Sequence, residues 1–248
     1  MRPIYANQTD KGKLIVQAST NERGRPVAGA NVRVYQKDAQ GDEKLIEQAV
    51  TDNSGLCPEF ELNAPPLDYS LTPGSPMPYA QYNVEIEADG FETLVINDIQ
   101  VLPDVVAIQN SMMFGLSGFR TQQAAQEVIT IGHHTLYYEY PEKIPESAVK
   151  SLPPPTGFVV LDRVVVPETI VVHAGHPDKP APKHYVPFRD YIKNVASSEI
   201  YATWPKSAIT SNVLAILSFT LNRVFTEWYR NKGKDFTITS STDLVSKW

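Results

Sequence analysis

Four stretches between residues 12 and 116 alternate apolar and polar residues with a period of two. They read KLIVQA, ANVRVY, YNVEIEA and TLVINDIQVL. In an extended chain this alternation places Val32 with Val34, and Tyr82 with Val84 and Ile86, on one side. Segments rich in Gly, Asn and Asp separate the stretches as turns: NERGRP, DAQGDE, TDNSG and ADG. The pattern predicts an N-terminal antiparallel β-sandwich in residues 1–116.

Proline divides the rest of the chain. It is concentrated between Pro141 and Pro187, and Pro153, Pro154 and Pro155 favour a stiff, extended segment. We therefore predict a connector over residues 117–157, in which QEVITIGHHTLYYEY contributes one strand. A mixed α/β domain over residues 158–248 follows, so the predicted fold class is a multidomain β plus α/β protein.

The C-terminal domain combines strands with two helices. FVVLDRVVV and TIVVHAG are apolar, β-branched runs that predict strands. Phe188, Ile192 and Val195 then mark one face of a helix that begins near Pro187 and ends near Ile200. A second helix begins at Pro205, and apolar residues around most of its circumference predict a core helix packed on several sides. Its expected inner side contains Ala208, Ile209, Val213, Ile216, Leu217, Leu221, Val224 and Trp228.

Residues 208–225 are the most apolar stretch of the chain, AITSNVLAILSFTLNRVF. The polar side chains of Asn212, Asn222 and Arg223 interrupt it, so a buried helix is favoured over a membrane span. The N-terminal MRPIYANQTDKGKL has neither an apolar run nor a cleavage signature, and we expect no signal peptide.

Charge and residue counts exclude several classes of protein. A net charge of −6 argues against nucleic-acid binding. The single cysteine, Cys57, excludes internal disulfides and cysteine-rich zinc sites, and we predict that it is buried. TDNSG lacks the further ligands of a calcium loop, so we predict a plain turn. No cofactor and no metal site are expected, because no cysteine or nearby carboxylate completes a ligand set. The histidines are predicted to be loop residues (His173, His176, His184) or surface and packing residues (His133, His134).

Glu199 continues the apolar stripe of the first helix, where a carboxylate is unexpected. Burial beside Val195 and Trp204 and the negative end of the helix dipole would both disfavour its charged form. A carboxylic acid that keeps its proton near neutral pH suits a general acid for glycosidic cleavage. The alternative is a glutamate that reaches solvent at the helix end. Asp190 is too distant along the helix to act as a partner carboxylate and fits an N-terminal capping role.

The segment RDYIKNVASSEIYATWPKSAITSNVLAILSF resembles the core of the stage II sporulation protein D family of bacterial lytic transglycosylases. The resemblance implies that Glu199 is the catalytic acid. In the second helix Asn212 stands at the family's glutamine and Leu217 at its arginine, with Arg223 as a candidate replacement. The candidate substrate-binding residues are Tyr191, Tyr201, Trp204, Asn212 and Arg223; for the three aromatic residues the alternative is a place in the core. The family signature is matched by Asp190, Tyr191, Ile192, Val195, Glu199, Trp204, Pro205 and Ala208.

The N-terminal segments GRPVAGANVRVY, TDNSGL and YNVEIEADGFE resemble the carboxypeptidase-regulatory or transthyretin-like sandwich. The order of the two domains is similar to that of spore cortex-lytic enzyme precursors. This resemblance implies binding of peptidoglycan glycan strands, cleavage of the MurNAc–GlcNAc bond with formation of 1,6-anhydro-MurNAc, and a spore-associated location in cortex or coat. It also implies an activating protease that acts on residues 140–157. Because the chain ends at Trp248, the implied catalytic domain is shortened, and the alternative is a non-catalytic spore or cell-wall binding protein with a degenerate enzyme core.

Overall fold

The computed structural model describes residues 9–21, 24–38, 40–116, 126–137 and 161–240. The chain divides into two compact units, Met1–His133 and His134–Trp248. In the described residues the strands form three sheets and the helices are few. The protein is therefore a β-rich chain of two units.

The first unit contains two sheets with the strand orders β4-β1-β7 and β3-β2-β5-β6-β8. A one-turn helix, α1 (Asp68–Leu71), lies between β4 and β5. The strands are β1 (Asp10–Thr20), β2 (Asn31–Lys37), β3 (Glu43–Val50), β4 (Phe60–Ala64), β5 (Ala80–Glu87), β6 (Thr93–Val101), β7 (Val106–Met113) and β8 (Gln126–Thr130).

Both sheets contribute side chains to one hydrophobic core. The four alternating stretches lie in β1, β2, β5 and β6, which confirms them as strands. The side chains predicted to share a face are all buried: Val32, Val34, Tyr82, Val84 and Ile86. A β-bulge between Tyr82 and Val84 leaves both residues in the core.

Two strand pairings differ from the predicted antiparallel arrangement. β1 runs parallel to β7, and β6 runs parallel to β8. The chain passes from one sheet to the other after β6, where the N–H of Asp104 donates to the carbonyl of Lys11 at 2.9 Å. This crossing brings β7 alongside β1 in the same direction instead of back along β6.

Strand β8 lies inside the predicted connector of residues 117–157. It pairs with the edge of β6, from Thr93 with Gln126 to Asn97 with Thr130. The first unit therefore reaches His133, beyond the predicted boundary at residue 116, because β8 satisfies backbone hydrogen bonds of β6. The proline-rich part of the connector lies outside the described residues.

The TDNSG segment forms a turn, as predicted. The Asp52 carboxylate accepts hydrogen bonds from the N–H groups of Ser54 and Leu56, at 2.8 and 3.0 Å. Gly55 has φ +73°, which favours glycine. The carboxylate is thus engaged with its own turn. Cys57, which follows, is buried, and burial raises the pKa of its thiol.

The second unit packs two helices on a small sheet with the strand order β10-β9-β11. Both predicted helices are confirmed, and each begins directly after a proline, Pro187 or Pro205, whose missing N–H costs nothing at a helix start. The elements are β9 (Thr169–His173), β10 (Lys183–Pro187), α2 (Phe188–Glu199), α3 (Lys206–Phe225) and β11 (Ile238–Thr239), with a 3₁₀ turn at Arg230–Lys232.

One predicted strand, FVVLDRVVV, is not formed in its described part, residues 161–166. The N–H of Leu161 donates to the carbonyl of Phe225 at 3.0 Å, at the end of α3. This segment therefore binds a helix end instead of another strand. Val164 and Val166 remain exposed.

Helix α3 is less buried than its apolar composition predicts. Ile216, Thr220 and Val224 are buried, whereas Leu214 is 58% exposed. The prediction that it packs on several sides is wrong, because the exposed residues include Ser, Thr, Ala and Asn that need no apolar partner. By length and composition alone, α3 is long and apolar enough to cross a membrane. An 18-residue stretch of this helix has a mean hydropathy of 1.3, and 17% of that stretch is buried.

Candidate functional site

Helices α2 and α3 form a hairpin that carries the predicted site residues. Near the turn, the Asn212 Nδ2 donates to Glu199 Oε2 at 3.4 Å. Further along the hairpin, Tyr191 on α2 and Thr220 on α3 are both buried. Residues spaced by four on each helix therefore face each other, as expected for one face of an antiparallel helix pair. Val195 and Ile216, which share one core cluster, fall between the two polar pairs.

Glu199 is the last residue of α2 and is half-buried. The next residue, Ile200, is already extended, so the carboxyl group lies at the carbonyl end of the helix. Partial burial and the helix end both disfavour a charge there, whereas the Asn212 amide donor stabilises one. The high proton affinity expected of Glu199 remains a prediction.

Tyr191 lies in the core beneath this site. Its side chain is 4% exposed, so a sugar in solvent does not reach it in this conformation. Burial raises the pKa of Tyr191, the Thr220 hydroxyl offsets part of that increase, and the negative charge of Glu199 adds a smaller increase. The phenol therefore stays neutral at physiological pH.

The two aromatic residues after Glu199 differ in exposure. Tyr201 is buried, whereas Trp204 is half-buried. Their rings meet edge to face, with centroids 6.4 Å apart and planes at 81°. The N–H of Trp204 donates to the carbonyl of Tyr201 at 3.1 Å and closes the turn into α3. Of the three predicted aromatic contacts, Trp204 is thus the one with accessible surface.

His134 lies beside the carboxyl end of α2, near the backbone of Ser197 and Ile200. The N–H of Leu136 donates to His134 Nδ1 at 3.2 Å, so the neutral ring carries its proton on Nε2. Burial lowers the pKa of His134, and the nearby backbone of Ser197 and Ile200 partly offsets that effect. The neighbouring Thr135 hydroxyl donates to the carbonyl of Ser198.

The sequence predicted His134 only as a surface or packing residue. It does pack, with its ring 4.3 Å from that of Tyr201. Its role at the helix end depends on contacts more than 60 residues apart, for which the sequence pattern holds no signal.

Arg223 does not join Glu199. At 1.5 Å of rise per residue it lies about 16 Å from Asn212 along the axis of α3. Its guanidinium group stacks on the rings of Phe219 and Trp228, 4.8 and 4.2 Å from their centroids. It lines a separate pocket at the C-terminal end of α3.

The prediction that His173, His176 and His184 are loop residues is confirmed only for His176, since His173 ends β9 and His184 lies in β10. His173 Nε2 donates to the carbonyls of His176 and Lys179, at 3.1 and 3.0 Å, and its ring stacks on Phe236. His184 is exposed on β10. In the described residues no group of three His, Cys, Asp or Glu side chains could hold a metal ion.

No family model matches the chain, and no curated protein matches it. Solved structures with a local likeness include catechol 1,2-dioxygenase from Acinetobacter radioresistens, at 12% identity and a TM-score of 0.33, covering 50% of this chain and 58% of that one.

A second likeness is to the minor pilin GBS52 from Streptococcus agalactiae, at 11% identity and a TM-score of 0.31, covering 46% of this chain and 49% of that one. The chain spans less than two thirds of the length of either protein. With TM-scores below 0.5, these likenesses support no conclusion about the function of this protein.

Proposed function

We propose that this protein is a peptidoglycan lytic transglycosylase-like protein of the spore cortex or coat, with Glu199 as its catalytic acid. The proposal is supported by the contact between Glu199 and Asn212, the residue that stands at the position of the family's glutamine. An amide donor at Oε2 orients the carboxyl group.

One carboxyl group is sufficient for the proposed reaction. Glu199 donates its proton to the oxygen that links MurNAc to GlcNAc, that bond breaks, and positive charge develops at the MurNAc anomeric carbon. The Glu199 carboxylate then takes the proton of the muramoyl 6-hydroxyl, whose oxygen bonds to the anomeric carbon and closes the 1,6-anhydro ring. Because no water attacks, the second carboxylate of ordinary glycosidases is not needed.

The neighbouring residues have distinct proposed roles. Asn212 positions the carboxyl group, and Trp204 supplies an accessible ring for sugar contact. His134 and Thr135 hold the helix end that carries Glu199. Tyr191 and Tyr201 support this arrangement from the core, and Arg223 acts elsewhere.

The proposal extends to the first unit and to processing. We propose that the two-sheet unit is a carboxypeptidase-regulatory-like sandwich that acts as a spacer. A protease that cuts within residues 140–157 would separate it from the proposed enzyme. Those residues lie outside the described part of the chain.

The decisive test is Glu199→Gln on purified cortex peptidoglycan. The unaltered protein should release 1,6-anhydromuropeptides, which mass spectrometry separates from hydrolysis products by the mass of one water. Glutamine keeps the shape of the side chain but has no proton to donate, so release should fall by about 10²- to 10⁴-fold. Glu168→Gln, at an exposed position, is the matched control and should keep full activity.

Two outcomes would contradict this assignment. Equal activity of Glu199→Gln would make Glu199 an ordinary helix-end residue. Sedimentation of the unaltered protein with peptidoglycan, without any released product, would support the non-catalytic wall-binding protein.

A further inference from the structure

A second pocket lies in the second unit at the C-terminal end of α3. Its volume is about 310 Å³, and the segment before β9 and the segment before β11 complete its walls. Three charged side chains line it, those of Arg223, Glu227 and Arg230. The remaining wall is largely apolar, with contributions from Leu161, Val165, Pro167, Val224, Trp228 and Phe236.

Glu227 has an unusual backbone conformation. The N–H of Glu227 donates to the carbonyl of Val224 and that of Trp228 to the carbonyl of Arg223, which is a Schellman ending of α3. In this motif glycine normally occupies the left-handed position, but here it is Glu227, with φ +48°. A strained residue that lines a pocket is a reason to look for a function of its side chain.

The charges around this pocket are of both signs and are held in place. Ring stacking on Phe219 and Trp228 fixes the Arg223 guanidinium, which has five N–H donors and can bind a carboxylate in its plane. The Glu227 Oε2 lies 3.3 Å from Arg230 Nε, and a carboxylate can accept about four hydrogen bonds. The Glu227 side chain is only 18% exposed, so a further donor would meet it in a largely desolvated setting.

We propose that this pocket binds a zwitterionic α-amino acid group on an apolar chain, with the carboxylate on Arg223 and the ammonium on Glu227. The apolar walls would receive the chain. This site is distinct from the proposed catalytic site at Glu199, and its function does not depend on peptidoglycan cleavage. The same chemical group occurs in free apolar amino acids and at the side-chain end of diaminopimelate in wall peptides.

Calorimetric titration with matched probes tests the proposal on the full chain. Norleucine carries both charges, whereas hexanoate and hexylamine each lack one. We expect norleucine to bind at least about tenfold more tightly than either single-charge probe. The tripeptide L-Ala-γ-D-Glu-diaminopimelate is the fourth probe. Tighter binding of this peptide would identify the wall peptide as the natural source, and tighter binding of norleucine would identify the free amino acid.

Variants of Glu227 separate binding from stability. Glu227→Gln should weaken norleucine binding about tenfold and leave hexanoate binding unchanged. Glu227→Gly removes both the carboxylate and the backbone strain, so it should lose norleucine binding while its Tm equals or exceeds that of the unaltered protein. Arg189→Gln, at an exposed arginine outside this pocket, is the control and should bind as the unaltered protein does. Absence of norleucine binding at millimolar concentration, or an unchanged norleucine-to-hexanoate ratio in Glu227→Gln, would overturn the proposal.

Discussion

His134 should make the stability of the second unit depend on pH. Its folded-state pKa is lowered by burial, so the unfolded chain takes up the proton first, at about 6.5. The stabilisation is fully present above that pH and is lost as the pH falls through the lower folded-state value. We expect the Tm to fall between about pH 7.5 and 5.5, and His134→Gln to show a smaller fall. Calorimetry at pH 7.5 and 5.5, the approximate limits of this range, measures the two Tm values. An equal fall in Tm for the unaltered protein and for His134→Gln would contradict the prediction.

Asn212 should affect catalysis more than stability if it positions Glu199. Asn212→Leu removes the amide donor at 3.4 Å from Glu199 Oε2 but keeps a side chain of similar size. Misplaced reacting groups lose rate steeply, so we expect kcat to fall by about tenfold to a hundredfold with KM nearly unchanged. Asn222→Leu, at an exposed position on the same helix, is the matched control. Equal losses in both variants would mean that Asn212 has no special role.

The sequence identifies Glu199 and Asn212 as candidate site residues because helical spacing and the Trp-Pro turn bring them to one end of a hairpin. It does not identify His134, whose contact with α2 depends on tertiary packing. It also misplaces Arg223. The helical repeat predicts which side of the twenty-residue helix α3 a residue faces, but not which end of the helix lies at the site. Local patterns therefore predict which face of a helix a residue occupies, but not which partner approaches that face.

Gly55 and Gly29 allow backbone strain to be separated from steric overlap. Both have φ near +75°, so alanine at either position costs about 1 kcal/mol in backbone energy. A Cβ at Gly55 would lie 2.3 Å from the carbonyl oxygen of Ala18, whereas a Cβ at Gly29 would meet nothing within 4 Å.

We therefore expect Gly55→Ala to destabilise the first unit by about 2 kcal/mol or more beyond Gly29→Ala. Urea unfolding measures the difference. Equal losses of stability in Gly55→Ala and Gly29→Ala would show that the backbone of β1 shifts to accommodate the added methyl group without a loss of free energy.

Alternation of apolar residues predicts strands well where both sheets bury one face, as for Val32, Val34 and Ile86. The described part of FVVLDRVVV, residues 161–166, does not form the predicted strand, because an apolar run becomes a strand only where a neighbouring strand supplies hydrogen bonds. The apolar composition of α3 predicts a helix that is buried on several sides. Its buried residues lie on one side only, the side that α2 covers. Which strands pair and which helix faces are buried therefore depend on the tertiary structure and not on the local sequence pattern.

The first unit should fold without the second. All residues of its core cluster, from the strands and from the loops between them, belong to the first unit, and the second unit has a separate cluster. We expect residues 1–133, produced alone, to unfold cooperatively in urea with the circular dichroism spectrum of a β-sheet protein. A broad, non-cooperative transition would mean that the first unit depends on residues after His133.

The parallel pairing of β1 with β7 has a consequence for synthesis on the ribosome. Leu14 in β1 pairs with Ala107 in β7, so β1 must wait for a strand of its own sheet that is synthesised about 90 residues later. At about 5 to 20 residues per second this delay is roughly 5 to 20 seconds. During that time Leu14, Val16 and Ala18, which are completely buried in the finished fold, have no parallel partner. The nascent chain should therefore be a client of chaperones that bind apolar segments until β7 has left the exit tunnel.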